Sequence, residues 1–302
     1  MRRAIGITTA EHIATGLVEG HQLIGKLQIY QERETDPWED MPAPGIAQIL
    51  ADEIQAAAGG SPVDVIGIGL PGIIRHGLVD ESPNLRQLKG TDFRGLVSSA
   101  MRNLGISAPI HIYNDADAFA AGIAATRGLL DRLIRVWTLG NGVGFGIYPW
   151  HDGIWEGGHS VVSLDPRERF CACGGRGHLE GIVGHRAMRL RFLDMEPEEI
   201  FQNAQRGDDR CIAFVKLWHS ALAAATANSI HQAGPGKFFI SGFNSKHLDV
   251  NLLHQYLHDM VKMSPLQSYA IEVVPASDEI AVVGAAVNAV RGEFPGSTPQ
   301  LG

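Results

Sequence analysis

The sequence is poor in cysteine, in basic charge and in long apolar runs, and each shortage removes a class of protein. Only three cysteines occur in 302 residues. That is too few for a disulfide framework and fits a reducing compartment. Acidic residues outnumber basic ones, 33 against 25, for a net charge of −8. This balance argues against non-specific nucleic-acid binding, which depends on Lys and Arg neutralising phosphates. No basic recognition arm or helix-turn-helix extension precedes the first apolar run. No stretch of about 18 apolar residues is present, and Arg2-Arg3 leads into a short apolar run rather than a leader. A cytoplasmic protein is expected, with neither nucleic acid nor membrane as partner. Low-complexity tracts and repeats of about 20–50 residues are also missing. What remains is a globular chain long enough for two domains that each bury a core.

Against that background one segment concentrates reactive side chains. It reads Glu156-Gly-Gly-His159, a spacer, then Cys171-Ala-Cys173-Gly-Gly-Arg-Gly-His178-Leu-Glu180. Two of the three cysteines stand two apart and His178 follows five after the second, a spacing suited to a closed tetrahedral zinc site. His159, Cys171, Cys173 and His178 are the candidate ligands. The plainer reading is a loop whose thiols are small apolar side chains. Cys211 falls in a helical pattern and is expected in the core. Glu156 and Glu180 can accept hydrogen bonds from sugar hydroxyls, or can be solvated charges.

Along the chain, Ala4–Ile7, Ile13–Val18 and His21–Ile24 are short apolar runs broken by polar turns, which predicts an antiparallel meander. Residues 32–44 read as a loop, Ile46–Ala58 as a helix stopped by Gly59-Gly60, and Val63–Leu70 as a buried parallel strand ended by Pro71-Gly72. A loop carrying Ser82-Pro83-Asn84-Leu85 and a helix over Leu96–Leu104 follow. Strand Ile110–Tyr113 then delivers Asn114-Asp115 to the start of helix Ala116–Arg127. Asp115 reads equally as a general base on a hydroxyl, held rigidly at a strand end, or as a helix N-cap. Strand Ile134–Leu139 runs into Gly140-Asn141-Gly142-Val143-Gly144, whose amides can face phosphate oxygens or simply join strands. Residues 181–232 are mainly helical. Strand Lys237–Ser241, helix Val250–Val261, strand Ile271–Val274 and helix Glu279–Val290 complete the order. Alternation of strand and helix predicts an α/β fold with ligands outside the carboxyl ends of strands.

Together these pieces resemble the ROK family (repressors, open reading frames, kinases) of the sugar-kinase, hexokinase and actin-like superfamily. Gly67-Ile-Gly-Leu-Pro-Gly72 is similar to its first-lobe strand and turn, Ser82-Pro-Asn84-Leu85 to its sugar loop, and Asn114-Asp115-Ala116-Asp117-Ala118 to its N-D-A-N-A element. Glu156-Gly-Gly-His159 matches E-x-G-H. The segment 171–180 matches C-x-C-G-x-x-G-C-x-E with His178 in place of the last Cys, a ligand zinc also accepts. Gly284-Ala-Ala286 is similar to the C-terminal helix signature. The donor side departs: where family kinases carry D-x-G-G-T, this chain has Thr8-Thr9-Ala10-Glu11-His12. G-T-G becomes Gly140-Asn141-Gly142, and G-G becomes Ser241-Gly242-Phe243.

The resemblance implies a two-lobed actin-like (ribonuclease H-like) α/β fold with a cleft between lobes. Residues 1–118 would form the N-terminal lobe, joined by a C-terminal helix at about 284–302, and residues 119–283 the second lobe. It implies a kinase acting on a hexose or amino sugar, with Asp115 as catalytic base and Gly72, Asn84, Asn114, Asp115, Glu156, His159 and Glu180 on the sugar. Thr8, Thr9, Gly140, Asn141, Gly142 and Gly242 would face ATP and Mg²⁺, a structural zinc would hold the loop, and the chain would form a homodimer. The altered donor motifs keep two alternatives open, namely sugar hydrolysis or isomerisation without a nucleotide, and a non-catalytic sugar sensor.

Overall fold

Apolar runs that end at Gly- and Pro-bearing turns become the strands of two sheets. The computed structural model describes residues 1–31, 37–75, 77–150 and 156–293. In chain order, β1 (Arg3–Thr8), β2 (Ala14–Glu19) and β3 (Gln22–Ile29) form the antiparallel meander, with Ala4 opposite Val18 and Ala14 opposite Ile29. Within the expected loop at 32–44, residues 32–36 lie outside those described, and Trp38–Asp40 make one short 3-10 turn. Helix α1 (Ala43–Ala58) starts three residues before its apolar periodicity does and stops at Gly59, φ +57°. Pro44 sits in its first turn, where a missing N–H costs nothing.

Strand β4 (Val65–Leu70) is buried at every position, as its unbroken apolar run requires. A short hairpin, β5 (Ile73–Arg75) and β6 (Leu78–Glu81), occupies part of a stretch whose sequence reads as loop. Its strands are too short to show alternation. Helix α2 (Phe93–Asn103) is capped by Asp92, which accepts the Gly95 N–H. Strand β7 (Ile110–Asn114) runs directly into α3 (Asp115–Thr126). The first sheet has the order β3-β2-β1-β4-β7, with β4 parallel to both β1 and β7.

The second sheet has β8 (Ile134–Leu139), β9 (Val143–Tyr148), β10 (Lys237–Ser241) and β11 (Ala270–Val273) in the order β11-β10-β8-β9. Its helices are α4 (Glu180–Val183), α5 (His185–Arg191), α6 (Pro197–Gln205), α7 (Asp209–Ala233) and α8 (Val250–Met260). Trp137, Trp218, Phe238 and Cys211 are buried in one apolar cluster there.

Helix α9 (Asp278–Glu293) belongs to the unit of the first sheet. Glycines set that packing: a Cβ on Gly284 would lie 1.7 Å from the Ala118 carbonyl oxygen, and one on Gly122 1.8 Å from that of Ile280. The backbones of α3 and α9 therefore touch. The chain divides into two compact units, residues 1–134, 146–154 and 277–302 in one, 135–145 and 155–276 in the other. A boundary at 118 would cut α3, which its seat on α9 keeps whole within the first unit.

Candidate active site and metal centre

In the first unit, the end of β7 carries the candidate base. Asn114 takes the N-cap of α3: its side chain accepts the Ala116 N–H at 2.9 Å and donates to the Gly72 carbonyl at 2.9 Å. One amide thus fixes the helix start to the turn after β4. The next residue, Asp115, is the first of the helix, so capping does not account for it. Burial pushes its carboxyl pKa up, opposed by backbone hydrogen bonds from Ala116 and from its own amide. A raised carboxyl pKa at a rigid strand end is the property a general base for a hydroxyl needs. Two residues on, Asp117 is buried and accepts the Ile147 N–H at 2.8 Å. Asn84 is exposed in the loop after β6.

In the second unit the four candidate ligands converge. Cys171 Sγ lies 3.4 Å from His159 Nδ1 and 3.3 Å from Cys173 Sγ. Cys173 Sγ is 3.5 Å from His159 Nδ1 and 3.3 Å from His178 Nδ1, and the two Nδ1 atoms are 3.3 Å apart. All the ligand atoms lie within 4.8 Å of one another. Edges of this length place the centre of a tetrahedron about 2.1 Å from its corners, the bond length zinc makes to nitrogen and close to that to sulfur. Four atoms with so few protons also cannot satisfy five mutual contacts by hydrogen bonding alone. The donor set and its geometry fit zinc. Burial lowers the His178 pKa, with His159 adding to the effect, which favours the neutral imidazole that metals bind. Burial raises the Cys171 pKa, so metal binding there releases a proton.

The backbone sets the ligand spacing. The 3-10 turn Gly157–His159 presents His159, Leu179 N–H donates to Ser160 O at 3.0 Å, and Val162 N–H to Gly177 O at 2.8 Å. These bonds draw His159 to the far end of the Cys segment. Glu156 is exposed, with a carboxylate oxygen 3.8 Å from His159 Nε2. Glu180 opens α4; it accepts the Val143 N–H at 3.2 Å and the Cys171 thiol at 3.3 Å. Gly142 passes so close that a Cβ would sit 2.5 Å from Glu180 Oε2.

The Gly140–Gly142 turn is tied from several sides. His185 N–H and the Asn244 side chain both donate to Gly140 O, at 3.0 and 3.1 Å, and Arg186 N–H donates to Asn141 O at 3.2 Å. Gly140 N–H bonds Gly142 O. Among the described residues the amides of Asn141 and Gly142 have no acceptor, and two such amides fit phosphate oxygens. A Cβ on Gly242, φ +91°, would strike the Leu139 carbonyl, so packing alone calls for glycine there.

The turn between β1 and β2 differs. Thr8 and Thr9 are buried, and Thr9 gives both its amide and its hydroxyl to Gly69 O, at 3.0 and 3.2 Å. Glu11 is exposed, and His12 Nε2 pairs with Asp278 Oδ2 at 2.7 Å. This turn has threonine rather than a carboxylate at position 8, and the Thr9 hydroxyl donates to Gly69 O. His185, Asn244 and the Glu168–Arg191 pair escape a reading of the sequence because their partners are 23 or more residues away.

These units have the architecture of the actin-like ATPases: the chain superimposes on a ROK hexokinase from Thermus thermophilus with TM-score 0.80 at 20% identity, covering 97% of this chain and 99% of that one. The sequence fixes the class further, since residues 10–291 match the ROK family and the chain belongs to it. A glucokinase of Pyrobaculum calidifontis is 29% identical over 63% of this chain and 66% of its own length. An N-acetylmannosamine kinase of Haemophilus influenzae is 25% identical over 91% and 90%.

Proposed function

We propose that the chain is a sugar kinase that phosphorylates a hydroxyl of a hexose or amino sugar, with Asp115 as general base. The observation that carries this reading is Asp115 itself. Its neighbour Asn114 performs the capping, and burial holds its carboxyl above the usual range. Asp115 takes the proton of the attacking hydroxyl, while Gly72, Asn84 and Asn114 of the same unit orient the sugar. Fixed positioning of this kind is most of what phosphoryl transfer asks of a protein. His159, Cys171, Cys173 and His178 would hold zinc, whose bonds brace the segment that carries Glu156 and Glu180. The amides of Asn141 and Gly142 suit a donor's phosphate oxygens. The relatives named glucokinase and N-acetylmannosamine kinase support the substrate class. A cytoplasmic homodimer using ATP with Mg²⁺ belongs to the same reading.

A second reading, sugar chemistry without a nucleotide, is favoured by one specific feature, the engaged Thr9 hydroxyl beside exposed Glu11. ADP release with ATP-Mg²⁺ across glucose, N-acetylmannosamine and related sugars separates the two. Turnover that falls about 10²–10⁴-fold in Asp115→Asn, with sugar affinity by calorimetry changed only a few-fold, is expected for the kinase. Sugar conversion that proceeds without ATP would establish the second reading instead.

A further inference from the structure

Beside the candidate ligand loop, the second unit contains a largely buried ion pair with a distinctive set of neighbours. Arg191, the last residue of α5, donates from Nη1 to Glu168 Oε1 at 3.0 Å and from Nη2 to Glu168 Oε2. Nη2 also reaches the Gly181 carbonyl at 3.4 Å. The Phe170 ring lies 4.2 Å from the guanidinium carbon and the Phe214 ring 5.4 Å from it. Glu168 is 8% exposed. Its backbone carbonyl accepts the Gly177 N–H at 2.7 Å, closing the loop between them.

The positions in the chain give this pair its meaning. Glu168 and Phe170 lie just before Cys171, and Gly181 lies just after Glu180, so one guanidinium grips both strands of the neck from which Cys171, Cys173 and His178 hang. Gly181 has to be small here, because a Cβ would come 2.9 Å from Cys171 N. Bringing the ends of such a loop together costs conformational entropy. A neck closed in advance removes that cost from metal binding.

We infer that Arg191 is a positioning residue of the metal centre: with Glu168 and Phe170 it clamps the neck of the ligand loop and sets how firmly the ion is held. The inference rests on the zinc reading of the four ligands; the hydrogen bonds of Arg191 go to Glu168 and Gly181 instead. Guanidinium is the suitable group, since its planar fork binds both carboxylate oxygens while its face stacks on an aromatic ring. An ammonium at the same position would keep the charge and lose the fork.

The test is the rate at which full-length zinc-loaded protein gives up its ion to an excess of a chromophoric chelator. Residues that support metal ligands from outside the coordination sphere commonly change affinity about 10–100-fold. Arg191→Met and Glu168→Gln are expected to accelerate release by at least about tenfold, and Arg191→Lys by less. The double variant Glu168→Gln/Arg191→Met, which leaves no lone buried charge, is expected to release no faster than either single one. Arg135→Met supplies the control for general destabilisation: this guanidinium pins β8 to the end of α7, through Ser229 O and Gly234 O at 2.9 and 2.6 Å. It is expected to lower the melting temperature and leave the release rate unchanged. Folded Arg191→Met that releases zinc at the wild-type rate, or Arg135→Met that releases it as fast as Arg191→Met, would overturn the clamp alone. A wild-type chain that takes up no zinc would overturn the zinc reading along with it.

Discussion

His247 illustrates how one side chain ties this fold to pH. Its ring stacks on Phe201, 4.2 Å between centroids and 4° from parallel, and its Nε2 is buried with no partner among the described residues. Burial, then the neighbouring Lys246 charge, lowers its pKa to about 4, with Glu198 opposing and His185 adding. Below the ordinary histidine pKa near 6.5 the unfolded chain binds a proton that the native ring refuses. Stability from this group is therefore full above about pH 6.5, is lost as pH falls toward 4, and changes little further down. Unfolding free energies from denaturant titrations at pH 7 and pH 5 are expected to differ by about 1 kcal/mol on its account, discounted for the ring's partial exposure. His247→Phe is expected to remove that part of the slope; an unchanged slope would show that the ring is protonated as readily in the fold as out of it.

At the scale of elements, the contact of α3 with α9 depends on the absence of side chains. Gly284→Val would put a Cβ 1.7 Å from the Ala118 carbonyl oxygen. It is expected to cost about 3 kcal/mol in denaturant unfolding, and a loss of under about 0.5 kcal/mol, typical of surface changes, would mean that the helices do not meet there. The sequence reveals such elements unevenly. Val65–Leu70 and the Ala-rich helix after Asn114-Asp115 declare themselves through composition and turn residues. The β5–β6 hairpin does not, because strands of three and four residues carry no periodicity. For the site, the spacing of Cys171, Cys173 and His178 shows which residue types gather, whereas His159 needs the bridge from Leu179 to Ser160 to reach them. The grip of Arg191 on Glu168 joins residues 23 apart in sequence and leaves no local signature. The bond from the Thr9 hydroxyl to Gly69 O joins residues 60 apart and leaves no local signature either.

For the whole molecule, the order of assembly is a further consequence of where α9 lies. Val282, Val283, Ala286 and Val287 share one buried cluster with Ala4, Val18 and Val65, so strands made before the second unit are completed by a helix made after it. On the ribosome, β1–β4 and α3 must wait with an uncovered apolar face while every residue of the second unit is made, whereas residues 155–276 are contiguous and need nothing that follows them. A chain ended after residue 276 is accordingly expected to be cut readily by protease within residues 1–134, with 155–276 protected. A synthetic peptide of residues 277–293 added in trans is expected to restore protection, and equal resistance of both units without it would sink the idea. The nascent chain thus has an interval in which half of it can be finished and the other half cannot, which is the interval when a chaperone would have something to bind.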